Sequence, residues 1–510
     1  MSNLSELLPT GGGQNAVDFV ASGTLSSGQA VVLKSDGTVE AATEITIPPE
    51  APIGSATLVD GNNTEYTSIA ADPFNENRWV AVYADDIGNQ DMFMKVFTRS
   101  GTTITQSSAI SLVTGGSVNR SCEVCFDRAQ ENVVLLMYND NTNDGVVQVA
   151  TISGSAGSES VALGTATDFY TSNPIFTASQ KGCISLVCLD TSGTFMGIWI
   201  DANGSDGTIR ARIFQVSGTS VTAGGSNTTL ATDSATYSAS TRAIRRHYSD
   251  TTKVYFAYKD TSARLGMKVL TVSGTSISVG TKYQSPNAIE EGGVGINPIS
   301  STKVIVSTNQ QSTDYPSYYV VTNSSGTSLS YGTYTVVSSV SALTVIALNN
   351  QESTGLVFPF YYIYTSGVGR KPFVKILTSN ADASTITFSA EDQLDTTAVA
   401  NSFNVLATQE DSLGHYLWLG EFNSDLYYIL GKAGGPSSNY TDFIGITAEA
   451  ISDTATGPVN VYGGINEAQT GLTIGSDYYV QDDGSISTTS SAVKIGQAIS
   501  ATTINMMDLT

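Results

Sequence analysis

The sequence predicts an all-β protein: a seven-bladed β-propeller inserted into a small β-barrel-like domain. Three observations lead there. Charged residues are 14% of the chain, 48 glycines punctuate it, and Ser, Thr and Asn recur throughout, a mixture that favours short strands and turns over long helices. A weak repeat runs from about Thr67 to Gly431. The two ends carry short strand-like phrases, and the first end has too few of them to fold alone.

The elements follow in chain order. Residues 1–17 read as an N-terminal arm, 18–48 as the first part of the small domain, 49–438 as the propeller and 439–510 as the second part of the small domain. A length of 510 residues calls for more than one core. "MSNLSELLPTGGGQN" has no basic stretch followed by an apolar run, so it does not read as a signal peptide. "VIALNN" and "LVFPFYYIY" are too short and too interrupted to span a bilayer, so no membrane insertion is expected.

Each copy of the repeat holds a short apolar strand, a turn, an aromatic-rich strand, a polar loop, a third strand and an "SGT" turn into a Thr/Ser-rich strand. "SIAADPFNENRWVAVYADD…DMFMKVFTRSGTTIT" and "RAIRRHYSDTTKVYFAYKD…GMKVLTVSGTSISVG" are two of them. Anchors at Tyr83, Tyr138, Trp199, Tyr258, Thr308, Tyr361 and Leu419 give intervals of 55, 61, 59, 50, 53 and 58 residues. Seven such units of four strands match the cue for radial repetition, which also protects strand edges. A run of β-sandwich domains would show paired sheets with linkers between them, and a parallel β-helix would have shorter coils. The last copy lacks a fourth strand, and either "IGSATLVDG" or "TEYTSIA", both ahead of the first full copy, is expected to supply it.

Before the repeat lies "ASGTLSSGQAVVLKSDGTVEAAT" (21–43), and after it "DFIGITAEAISDTATGPVNVYGG" (442–464), "GLTIGSDYYVQDDGSISTT" (471–489) and "AVKIGQAISATTINMMDL". The economical reading joins both ends in one small domain. A closed unit with adjacent termini would sit in one of its loops, with "ITIPPEAPIG" and "GGPSSNYTD" as connectors. These phrases, about 90 of the 510 residues, resemble the small β module of structural proteins of tailed bacteriophages, most familiar from tail or fibre-type proteins of marine phages. The resemblance implies a virion component, with the tail as the expected location. The small module would dock to other virion proteins and to sister subunits in a symmetric oligomer, and multiple copies would turn weak contacts into firm attachment. A purely structural capsid decoration or tail accessory protein is the alternative, followed by a glycan-degrading propeller.

The search for chemistry returns little. Lys plus Arg number 23 against 46 Asp plus Glu, a net charge of -23 that repels phosphate backbones, so no nucleic-acid partner is expected. The histidines, His247 and His415, fall in different copies, and no nucleophile elbow or Asp-box series accompanies them. Asp85–Asp86 and Asp482–Asp483 read as turn residues rather than a glycosidase dyad. "CEVC" (Cys122, Cys125) has CxxC spacing but lies on a strand, where positions three apart face opposite ways, and Cys183 and Cys188 form no matching pair. No enzyme, catalytic residue, metal site or cofactor is therefore expected; calcium at "DGNNTE" or "DANGSDG" stays open, although neither carries the full loop pattern. Recognition is the better reading. The candidate surface comprises Tyr315, Tyr318, Tyr319, Phe358, Phe360, Tyr361 and Tyr362, with Arg245 and Arg246 from the basic spot "TRAIRRH". The competing reading places about half of these rings between blades. Exposed, they would offer stacking surfaces to a host glycan or protein.

Overall fold

The computed structural model describes residues 15–47, 50–62, 64–85, 91–114, 122–140, 142, 144–171, 184–201, 208–234, 242–289, 294–311, 313–339, 342–347, 357–366, 369–379, 382–393, 405–408, 415–422, 425–432, 435–438, 442–481, 484–489 and 493–506. Among them every regular element is β. The chain divides into two compact units, 1–47 with 436–510, and 48–435.

The larger unit is a succession of seven antiparallel sheets, I to VII, each built on four strands. Sheet I holds Thr64–Ala71, Arg78–Asp85, Met92–Ser100 and a fourth position divided between Thr103–Gln106 and Ile110–Val113. Sheet II follows with Cys122–Phe126, Val133–Asn139, Gly145–Ser153 and the pair Ser160–Leu163 and Thr167–Tyr170. Sheet III is Ile184–Cys188, Thr194–Asp201, Thr208–Ser217 and Ser220–Ala231. Sheet IV is Arg242–Arg246, Lys253–Lys259, Arg264–Ser273, and Ser276–Val279 with Tyr283–Ala288. Sheet V is Gly295–Pro298, Lys303–Asn309, Pro316–Asn323 and Leu329–Val336. Sheet VI is Ala342–Ala347, Val357–Ser366, Gly369–Ser379, and Ile386–Phe388 with Asp392–Gln393.

Sheet VII takes Val405–Thr408, His415–Phe422 and Asp425–Lys432 from the end of the unit and Glu50–Asp60 from its beginning. The missing fourth strand is thus "IGSATLVD", whereas "TEYTSIA" opens sheet I. All seven sequence anchors lie on second strands. First strands of sheets I to VI are successive neighbours, and that of sheet VII lies beside that of sheet I.

Burial explains why the second strands are nearly continuous apolar runs. Val133–Asn139 and Thr194–Asp201 are buried at every position, because both faces of an inner sheet meet a neighbouring sheet. One core cluster draws on sheets II, III and IV together, and another joins sheets VII and I. That continuity is what separates this arrangement from paired sandwiches. Trp79, Trp199 and Trp418 are fully buried on the second strands of sheets I, III and VII, where truncation of such a ring costs about 3–5 kcal/mol.

The smaller unit joins both ends of the sequence. One five-stranded sheet runs in the order Ala16–Val20, Thr456–Val461, Phe443–Thr447, Ala30–Leu33, Val39–Ala41. A second runs Ile465–Asn466, Ile504–Met506, Lys494–Ala498, Asp477–Val480, Ile486–Ser487. Glu44–Ile47 and Gly435–Ser438 add a two-stranded ladder. Both five-stranded sheets are open, and they share a core of Ala30, Val32, Ile446, Tyr478, Ile495 and Met506, while Val31, with Leu25, Ile451 and Val459, buries the opposite face. Ala16 and Val17, expected in the N-terminal arm, instead pair with Asn460 and Val459 in the first sheet, and residues 1–14 of that arm lie outside the described residues.

A polar network ties the two sequence ends of this unit together. Asn466, fully buried, donates from Nδ2 to Thr447 O (3.0 Å) and Asn460 Oδ1 (2.8 Å). Gln469 Nε2 donates to Asn466 Oδ1 (2.9 Å) and to Gly28 O (3.0 Å). Gly28 has φ +77°, and a Cβ there would meet Ala468 O at 2.5 Å, so the close approach requires glycine. In the phrase 471–489, Asp477–Val480 pairs with Ile486–Ser487, and Gln481 N donates to Ser485 O (2.9 Å) across the turn.

Candidate functional site

The seven-sheet unit presents three kinds of polar site, each repeated by the internal symmetry of the sequence. The first is the turn between first and second strands. Asp72, Asp127, Leu189, His247 and Ile299 each donate a backbone N–H to the carbonyl of Arg78, Val133, Thr194, Lys253 and Lys303 at 2.8–3.0 Å. Where that position is polar its side chain caps the turn: Asp72 accepts from Phe74 N (2.9 Å), Asp127 from Ala129 N (2.7 Å), and His247 Nδ1 from Asp250 N (3.1 Å). These turns also join sheets. Arg78 pairs with Asp72 and donates to Asn132 Oδ1 (2.6 Å), and His247 Nε2 reaches Ser301 O (3.1 Å). His247 is thereby held as a neutral ring, an acceptor at Nδ1 and a donor at Nε2, and burial lowers its pKa. It is a turn cap, and His415 is buried on sheet VII.

The second site is a bolt between sheets. Lys95, Gln148, Arg212, Lys268, Tyr319 and Lys375 occupy one repeated position on third strands. Lys95 Nζ donates to Val59 O (2.5 Å), Arg212 Nη1 to Phe169 O (2.8 Å), Lys268 Nζ to Leu230 O (2.6 Å) and Lys375 Nζ to Val337 O (3.3 Å). In each case the carbonyl belongs to the outer strand of the preceding sheet or the residue just after it. Burial lowers the pKa of both Lys95 and Lys268. Sequence reasoning missed these residues, although the phrases "KVFTRSGT", "RIFQVSGT" and "KVLTVSGT" carry the signal once aligned.

Near the far ends of second strands lies a third set. Tyr83 OH donates to Asp60 Oδ2 (3.1 Å) and Tyr258 OH to Asp233 Oδ1 (2.8 Å), carboxylates at the end of, or just after, the outer strand of the preceding sheet. Burial and the accepting carboxylate push both phenols far above their ordinary range. Lys282 Nζ bridges Asp233 (2.6 Å) and the fully buried Asp260 (2.8 Å). Asp60 of "DGNNTE" therefore serves Tyr83 and the N–H of Asn62, and Asp201 of "DANGSDG" serves Arg210 (2.6 Å); residues 202–207 lie outside the described residues. Among the described residues no group of three metal-ligating side chains assembles.

The expected recognition residues disperse. Tyr318 is 7% exposed and Tyr319 fully buried, so both are corrected from surface to core. The reason is the third strand of sheet V, which is flanked on both faces: Tyr318 packs near Phe388 of sheet VI, and Tyr319 against Tyr331 and Tyr334. Tyr315 is half-buried in the loop before that strand. Phe358, Phe360, Tyr361 and Tyr362 lie on the second strand of sheet VI, and their side chains lie outside the described residues. Arg245 and Arg246 are on the first strand of sheet IV, each partly accessible.

Arg245 links two sheets electrostatically. Its Nη1 donates to Ile244 O (2.9 Å), its Nε has no partner, and it interacts electrostatically with Glu123 and Cys125 of sheet II, two sheets away. Glu123 accepts from Ser68 Oγ of sheet I (2.7 Å), and burial pushes its pKa up to about 7. Cys122, Cys125 and Cys188 are buried free thiols. As strand alternation requires, Cys122 enters the core between sheets I and II and Cys125 the core toward sheet III. Cys183 lies outside the described residues.

No protein-family model and no curated protein matches the chain. Among solved structures it is similar to the BP39L lectin of Burkholderia pseudomallei, with 9% identity over 74% of this chain and 97% of that one and a TM-score of 0.51. It also aligns with the six-bladed β-propeller lectin of Aleuria aurantia (12% identity, 67% of this chain and 99% of that one, TM-score 0.39). Sqt1 of Chaetomium thermophilum aligns at 12% identity over 76% of this chain and 100% of that one, TM-score 0.44. At these identities the first likeness is one of fold alone.

Proposed function

We propose that the larger unit is a seven-bladed β-propeller, one blade per sheet, carried on the small two-sheet unit as an insertion, and that the protein is a non-enzymatic recognition component of a tailed-phage virion. The observation that carries the reading is the sheet assembled from both ends of the larger unit: Glu50–Asp60 completes sheet VII, as a ring latch does in radial architectures. The phage reading rests on the resemblance of the terminal phrases. In this reading the small unit docks to virion proteins and sister subunits, and the loops of the propeller contact a host-surface glycan or protein. A fold shared with a lectin is consistent with binding without chemistry. Of the two histidines weighed for catalysis, His247 is engaged as a turn cap.

The test is a cryo-EM map of the intact particle together with binding of the purified chain to host cells. Density at the tail tips with the larger unit outward, and saturable binding blocked by removal of surface glycan or protein, is the expected result. Density flat on the capsid or sealed between tail subunits would overturn the adhesion role and leave a structural part.

A further inference from the structure

The two most exposed large hydrophobic side chains among the described residues, Ile474 (68%) and Ile499 (50%), are neighbours on the small unit. Leu472 N donates to Ala501 O (3.0 Å) and Gly475 N to Ala498 O (2.8 Å). Segments 472–475 and 498–501 therefore run antiparallel, with Ile474 opposite Ile499. Thr473, Gly475, Ala501 and Thr502 around them are exposed as well. Single exposed hydrophobic residues are ordinary, whereas a contiguous apolar patch marks a contact surface.

Charge identifies the occupant. Residues 468–476 and 495–506 carry no charged side chain, in a chain whose net charge is -23. A basic partner is drawn to the carboxylates elsewhere, and an anionic surface is repelled by them. At the edge of the neutral patch stand one anion and one cation. Asp477 pairs with Gln497 in register, and Lys494 Nζ lies 2.8 Å from Asp477 Oδ2, with both side chains partly exposed. The fitting partner is therefore neutral and apolar at its centre, with one carboxylate and one ammonium at its rim. The patch itself has that description. Across a two-fold axis each Lys494 would meet the Asp477 of the other copy, and the isoleucines would meet one another.

We propose that this patch joins two copies of the chain through an isologous contact. The proposal deepens the reading of the small unit as the part that meets sister subunits, and rests on that reading. Two isoleucines per copy make an interface of the weak, transient class. The dimer therefore dissociates in the dilution of a sizing column, and sedimentation equilibrium of the full chain across the micromolar range is the test. A monomer–dimer equilibrium is expected, and Ile474→Ser/Ile499→Ser is expected to weaken it at least about tenfold. Lys494→Asp and Asp477→Lys each set like charges across the two-fold, so each alone is expected to weaken self-association. An equimolar mixture of these two variants pairs opposite charges again and is expected to restore a dimer. Circular dichroism of each variant is the folding control. A monomer at every concentration, a trimer, a dimer unmoved by the serine substitutions, or a mixture that fails to associate would overturn the proposal. The position of the chain in the particle is measured separately: a dimer in solution with no density in the virion would sink the virion reading and leave the contact standing.

Discussion

At the scale of single residues, the side chains that looked like chemistry are mostly hydrogen-bonding devices. His247 shows how the confusion arises: a histidine in "RRHYSD" carries the same letters whether it is a base or a cap. Only the position of the Ser249 and Asp250 N–H groups about its Nδ1 decides. Tyr318 and Tyr319 show the reverse error, in which dense aromatics suggest a surface but fill the space on either side of sheet V. Glu123 has a pH consequence. An unfolded glutamic acid loses its proton near pH 4.5, whereas the folded chain holds it to about 7. The folded state therefore binds the proton more tightly and loses stability as pH rises from about 4.5 to 7, with no further loss above. The full shift corresponds to about 3 kcal/mol, and the partial exposure of Glu123 to solvent reduces it to about 1–2 kcal/mol. Glu123→Gln should remove that dependence. Its Tm relative to the parent should rise by about 1–3 °C between pH 5 and pH 8, and an offset equal at both pH values would show that Glu123 titrates as in the unfolded chain.

At the scale of elements, the repeat was legible because its strongest signal, the buried second strand, is also its most regular. Every anchor found by spacing falls on one. The outer strands were harder to read, since Ser, Thr and Gly at half-exposed positions carry no clear alternation; Ser220–Ala231 breaks register twice against its partner. The latch strand Glu50–Asp60 was left open between two phrases because pairing partners nearly 400 residues apart leave no local trace. Its removal has a direct consequence. Deleting residues 50–60 uncovers the edge of Asp425–Lys432, along with Leu426, Tyr428 and Leu430 of the shared core, and an unpaired edge with apolar side chains recruits other chains. Size-exclusion chromatography with light scattering should show dimers or larger species for the deletion and none of these added species for the parent. An unchanged mass would mean that the edge is protected by something other than this strand.

For the whole molecule, the question is how a unit made from two ends of a chain holds together. Leu25 and Ile451 exchange backbone hydrogen bonds of 2.8 and 2.9 Å, Thr447 N donates to Gln29 O, and Ala30 N to Gly484 O. The first sheet of the small unit thus contains strands of both segments, and the Ala30–Gly484 bond ties it to the region of the second sheet, whose strands all come from the later segment. Glu44–Ile47 pairs with Gly435–Ser438, which brings the outgoing and returning chain side by side. A direct fusion of residues 15–47 to 436–506 through a short Gly/Ser turn is therefore expected to fold alone, with dispersed amide NMR signals and a cooperative melt. A collapsed, non-cooperative product would show that the small unit needs the larger one for stability.

The sequence by itself determined the β class, the period, the seven copies, the second strands and the joining of both ends, because each depends on composition and short-range hydrophobic pattern repeated many times. The tertiary structure alone decided which early strand completes sheet VII, that Tyr318 and Tyr319 are core, that Lys95, Arg212, Lys268 and Lys375 bolt one sheet to the preceding one, and that Glu123 and Arg245 interact electrostatically across sheets. Those outcomes turn on contacts between residues far apart in the chain, where burial and the supply of hydrogen-bond partners, rather than residue type, settle what a side chain does.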